Sequence, residues 1–154
     1  MQHDQEVVAE TRAWLARAQM DIRAATHEFT AKPSLLEDIV FHTQQAAEKC
    51  FKAFLAWNGL IFRKTHNLEE LGEACLRQDP TLRGLVDKAV PLTEYAWRFL
   101  YPGDQEAPSV DEAKEALAIA REVLDAILAR LPEEVRSPNS PTPWMQSTHQ
   151  EERS

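Results

Sequence analysis

Apolar residues recur along this chain every three or four positions, the repeat of one face of an α-helix. Val8, Thr11, Leu15, Ala18, Ile22, Ala25 and Phe29 follow this spacing and predict a helix from about Asp4 to Phe29. Lys32-Pro33 ends it, because the residue before proline is pushed out of the α region. Ser34 with Glu37 reads as a capping box that opens a second helix. Its buried face is Leu36, Ile39, Val40, Ala47, Cys50, Phe51 and Phe54, and Asn58-Gly59 closes it, with Gly59 as a left-handed cap. After a loop from Leu60 to His66, Asn67 caps a third helix that carries Leu68, Leu71 and Cys75 inward and stops at Asp79-Pro80. A fourth helix is predicted from about Thr81 to Leu100, on Leu82, Leu85, Ala89, Leu92, Ala96 and Phe99. Pro91 lies inside that pattern and predicts a kink or break near Asp87. Tyr101-Pro102-Gly103-Asp104 reads as a turn. Ser109 and Glu112 form another capping box, and Val110, Ala113, Leu117, Ala120, Leu124, Ile127 and Leu131 complete a fifth helix that Pro132 stops.

The expected fold is therefore all-α: an antiparallel bundle of four long helices plus one short helix, joined by short connections. With 154 residues, 44% of them hydrophobic, the chain has material for one core and one domain. Only 4 residues are glycine, and four of the 9 prolines fall after Leu131. The division expected is a helical domain over 1–131 and a Pro/Ser-rich tail over 132–154, in which Trp144-Met145 is a lone apolar pair. That pair reads either as part of a disordered end or as a short docking segment.

Charge narrows the function classes. There are 17 basic and 25 acidic side chains, a net charge of -8. Sequence-blind binding of nucleic acid draws its affinity from Lys and Arg on phosphates, so this balance argues against it. No apolar run reaches the roughly 18 residues needed to span a bilayer, and the first residues lack the basic-then-apolar profile of a signal peptide. The expectation is a soluble cytoplasmic protein with no membrane contact. Cys50 and Cys75 fall on apolar faces and read as two buried thiols. No ligand-spaced His/Cys cluster, phosphate-binding glycine loop or nucleophile elbow is present, so no metal or cofactor is expected.

Several stretches together carry a resemblance. The second helix holds Phe41-His42-Thr43-Gln44-Gln45-Ala46-Ala47-Glu48-Lys49, then Lys52-Ala53-Phe54-Leu55 and Gly59. Thr65-His66-Asn67-Leu68, Tyr95-Ala96-Trp97-Arg98, Tyr101-Pro102-Gly103-Asp104 and Glu112-Ala113 follow. Over about Thr11 to Leu131 the chain resembles the HEPN domain family. The resemblance implies a bundle of four or five helices that usually dimerises. Many members are encoded beside a small nucleotidyltransferase and bind it. Other members are metal-independent RNases, often toxins, marked by an Arg followed four to six residues later by a His. That signature is absent here. Arg23 and His27 have three residues between them and lie in the first helix, Arg63 and His66 have two, and no His follows Arg98 before the tail. Relatives often read Arg-Tyr-Pro where this chain has Leu100-Tyr101-Pro102. Arg98 lies about 200° round the helix from position 100 and is no simple substitute.

Spacing groups His42, Gln45, Lys49 and Lys52 on one face of the second helix, opposite its core stripe. Such a face offers donors to a phosphate, a base or an acidic partner, or is an ordinary solvated face. His66 precedes the cap of the third helix and can fix the loop through its backbone contacts. Arg98, with Trp97 and Tyr101, stands at the end of the fourth helix and suits an interface, where Trp, Tyr and Arg are enriched. The candidate nucleotide- or partner-binding residues are thus His42, Gln45, Lys49, His66 and Arg98, with no catalytic and no metal-binding set. The function expected is a non-catalytic, HEPN-like homodimer that recognises a nucleotide or a nucleotidyltransferase. The alternatives are an RNase toxin with a divergent site and a purely structural interaction domain. Val7 and Trp14 on the first helix, and Trp97 and Leu100 on the fourth, are the apolar residues expected to build the dimer.

Overall fold

In the computed structural model, which describes residues 4–103 and 106–136, every regular element is helical. The elements are α1 (Gln5–Glu28), α2 (Leu36–Trp57), α3 (Leu68–Gln78), α4 (Arg83–Ala89), α5 (Val110–Ala129) and α6 (Glu133–Arg136). Two 3-10 segments, Pro80–Leu82 and Val90–Ala96, flank α4. The all-α expectation holds. Three helices are long rather than four, because the predicted fourth helix is divided. Proline 91 has no amide hydrogen and its ring crowds the preceding turn. The α-helical part ends at Ala89, two residues past the expected break, and the chain continues as a 3-10 segment instead of resuming an α-helix.

Local chemistry explains the other boundaries. Asp4 caps α1 by accepting from the Glu6 amide at 3.0 Å, and Asn67 caps α3 by accepting from Glu69 at 2.9 Å. Ser109 accepts from the Glu112 amide at 3.0 Å to open α5. The Ser34 box does not form. Its hydroxyl instead donates to the Phe29 carbonyl at 2.8 Å, satisfying an acceptor left over at the end of α1, and α2 starts after Leu35. At the far end of α2, Gly59 takes φ +71°. There the amides of Gly59 and Leu60 return to the carbonyls of Ala56 and Leu55, a Schellman closure that only a residue tolerant of positive φ adopts cheaply.

Helix α2 lies at the centre, packed by α1, α5, α3 and the second 3-10 segment. Ile39, Val40, Phe51 and Leu55 are fully buried on it, together with Leu68, Leu71, Leu82 and Ile127 from its neighbours. Each such side chain contributes about 1.5–3 kcal/mol by leaving water. Cys50 and Cys75 are free and buried, and burial holds the Cys75 thiol up at about 12. The packing continues past Leu131. Val135 on α6 is buried, and Arg12 on α1 donates to the Glu134 carbonyl through both Nε and Nη2, so the turn over 133–136 joins the bundle although the sequence division assigns it to the tail. Trp144-Met145 lies outside the described residues. Among the described residues no helix is long and apolar enough to cross a membrane.

Candidate functional site

A helix packed by its neighbours on most sides keeps little free polar face, and this decides how the sequence-predicted residues are used. Asp21 sits on the apolar stripe of α1, between Ala18 and Ala25, and is only 7% exposed. Its carboxylate accepts from Lys49 Nζ at 2.5 Å and meets His42 Nδ1 at 2.9 Å. The other ring nitrogen of His42 lies 3.4 Å from Glu28 Oε1. Asp21 and Glu28 are two turns apart on α1, and Lys49 and His42 two turns apart on α2. The antiparallel helices therefore interleave acid and base along one seam. A neutral imidazole donates to one of its two carboxylates, whereas an imidazolium donates to both. Glu28 Oε2 is buried with no hydrogen-bond partner. Burial holds the Glu28 carboxyl above its ordinary range, with His42 acting against that shift and Asp38 adding to it.

A second carboxylate organises the other half of the face. Glu48 is 3% exposed and accepts from Lys52 Nζ at 3.0 Å and from Gln44 Nε2 at 3.3 Å, and it faces His66 Nδ1 at 2.7 Å. Gln44 Nε2 also donates to the His66 carbonyl at 3.0 Å, and Gln45 Nε2 donates to Gln44 Oε1 at 2.6 Å. Lys52 Nζ stands 5.2 Å from the centre of the Trp14 ring, and Trp14 packs against Phe62 at 6.1 Å. The loop between α2 and α3 is thus tied to α2 through His66 and to α1 through Phe62. His66 remains 65% exposed while its Nδ1 is fixed on a buried acid. Arg63 adds a two-pronged pair with Glu70, at 3.0 and 2.7 Å, which raises the Arg63 pKa and lowers that of Glu70. Glu70 therefore anchors the loop through Arg63.

Arg98 follows the second 3-10 segment. Its Nη1 lies 3.3 Å from Glu94 Oε1, and its guanidinium sits 5.2 Å from the centre of the Phe99 ring. It lines a cleft of about 330 Å³ with Glu37, Tyr101 and Pro102. The structure thus links His42 to Lys49 through Asp21, and Gln45 to His66 through Gln44 and Glu48. Arg98 pairs with Glu94 and lies beside the start of α2. The expectation that His42, Gln45, Lys49 and Lys52 point away from the core needs correction. Lys52 is buried, and His42 and Lys49 lie against α1, because α1 covers the face that a two-sided helix would show to water. Sequence reasoning passed over Asp21 and Glu48. The available signal was an acidic residue in the middle of an apolar stripe, a costly placement unless a cation meets it.

Among the described residues, no group of three or more His, Cys, Asp or Glu side chains is arranged to hold a metal ion. No curated protein and no solved structure matches the chain. The family model described as HEPN domain matches residues 11–131, from the first turns of α1 to the end of α5. With most of its length under that match, the chain belongs to the HEPN domain family.

Proposed function

We propose that this HEPN chain is a non-catalytic binding module that acts as a homodimer and recognises a nucleotide or a nucleotidyltransferase partner. The observation that carries the reading is the commitment of the candidate bases to buried acids. Lys49 and His42 share Asp21, Lys52 and His66 share Glu48, and Arg98 is engaged with Glu94. General acid–base cleavage of RNA needs two groups within reach of one phosphodiester. The chain lacks the Arg–His spacing of the RNase members. A binding role needs less: the exposed edges of His66 and Gln45, on a framework that α1 and α2 hold rigid. Two free buried thiols fit a reducing cytoplasmic setting.

Exposed apolar residues support the dimer. Trp97 is 53% and Leu100 61% exposed, whereas Trp14 is engaged by Lys52 and Phe62. We therefore place the two-fold contact at Trp97 and Leu100, just past the second 3-10 segment, rather than at Trp14. Calorimetric titration with a nucleotide panel and with a small nucleotidyltransferase tests the function. Binding to one of them is expected, and His66→Gln with Gln45→Ala should weaken it by about 1–3 kcal/mol. Lys49→Ala is a poorer probe, since it removes the cation that balances Asp21. If nothing in either set binds, the purely structural reading replaces this one.

A further inference from the structure

A groove of about 470 Å³ runs between the end of α4 with the second 3-10 segment and α5. Its apolar lining comes from Pro91, Leu92 and Tyr95 on one wall and from Ala116, Ala118 and Ile119 on the other. Its rim is acidic out of proportion even to this acidic chain. Asp87, Glu94, Glu112, Glu115 and Glu122 line it against one base, Lys88, which is already 3.3 Å from Glu122. Glu112 and Glu115 make no ion pair with any described residue. Along α5, Glu112, Glu115, Ile119 and Glu122 recur at three-four-three spacing, so acid and apolar surface share one face. The Tyr95 hydroxyl reports the same field. Burial first, and then Glu112 and Glu94, hold its pKa above the usual phenol range, with Arg98 opposing and Glu115 adding.

We infer that this groove is the docking site for a basic amphipathic helix of a partner protein. The apolar face of that helix would seat on Pro91, Leu92 and Ile119, and its Lys or Arg side chains would meet Glu112 and Glu115. An apolar groove accepts the stripe of an amphipathic helix through anchors one turn apart. Carboxylates without a cation of their own select the charge of the flanks and reject acidic partners. A second copy of this chain, at net charge -8, is a poor occupant of the same groove. The inference does not rest on the site around Asp21 and Glu48. Glu94, which also holds Arg98, links the groove to that arginine.

The probe is a fluorescent Leu/Lys peptide of about four helical turns, with leucines at three-four spacing. It is compared by anisotropy with a scrambled peptide of the same composition and with spermine. The patterned peptide should bind the full chain about tenfold tighter than the scrambled one. Glu112→Lys with Glu115→Lys should cost about tenfold or more, and Ala118→Trp, an exposed position that fills the groove, should cost a similar factor. Glu10→Lys on the exposed side of α1 should leave binding unchanged. Three results would overturn the inference: no binding of the patterned peptide, equal binding of the scrambled peptide or spermine, or unaltered binding by Ala118→Trp.

Discussion

Asp21 does the most for its size. It occupies a core position on α1 and satisfies two bases that α2 brings against it. Removing it leaves Lys49 partly buried without its counter-charge, which is costlier than the loss of the pair's own attraction. Asp21→Ala should lower stability by about 2–3 kcal/mol, read from the urea midpoint, with Asp21→Asn costing less because its amide oxygen still accepts. Glu28 gives an effect of opposite sign. Its carboxyl is raised above the ordinary 4.5, chiefly by burial, so the folded chain holds this proton to higher pH than the unfolded chain does. Between those two values stability falls as pH rises, because the folded state binds more protons. Glu28→Gln should raise the thermal midpoint at pH 7, and the gain should fade as the pH is brought down to about 4.5. A gain that grew toward acid would contradict the assignment.

At the scale of elements, the periodic stripes of α1, α2, α3 and α5 are readable from spacing alone, since each helix needs only its own residues to show one apolar side. Pro91 is equally readable as a break. What it does afterwards is not, because whether a freed segment returns to α or tightens to 3-10 depends on the helices it lies against. The same holds for the seam between α1 and α2. The Asp21–Lys49 pair spans 28 residues of chain, and no local pattern marks it beyond the misplaced acid. Ser34 failed as a cap for a comparable reason: its hydroxyl had a nearer acceptor on the preceding helix. Close approach of α3 and α4 supplies a sharper test. A Cβ on Gly72 would stand 2.5 Å from Val86 Cγ1. Gly72→Ala should therefore cost about 1–3 kcal/mol through overpacking, despite the better helix propensity of alanine. Adding Val86→Ala should make the substitution at Gly72 close to neutral or favourable. A single Gly72→Ala variant more stable than wild type would show that the helices separate freely.

For the whole molecule, fold class follows from the density of helical stripes and the shortage of glycine, whereas the use of the surface depends on which helix is central. Because α2 is enclosed, the basic residues that look like a binding face in the sequence serve first to join α1, α2 and the loop after α2. The surfaces proposed for partners are the corner at Trp97 and Leu100 and the acid-rimmed groove beside α5. Light scattering at micromolar concentration should give twice the chain mass. Trp97→Ser with Leu100→Ser should shift it to the monomer without loss of helical signal, since both side chains are exposed. A monomeric wild type would count against the two-fold assembly.

The central claim is that the chain binds and does not cleave. It is tested most directly by incubating pure protein with single-stranded and structured RNA in the presence of a chelator and following the RNA on denaturing gels. The absence of the Arg–His spacing of the RNase members predicts no cleavage above the protein-free control. Metal-independent cleavage that disappears in both His66→Ala and Arg98→Ala would contradict it.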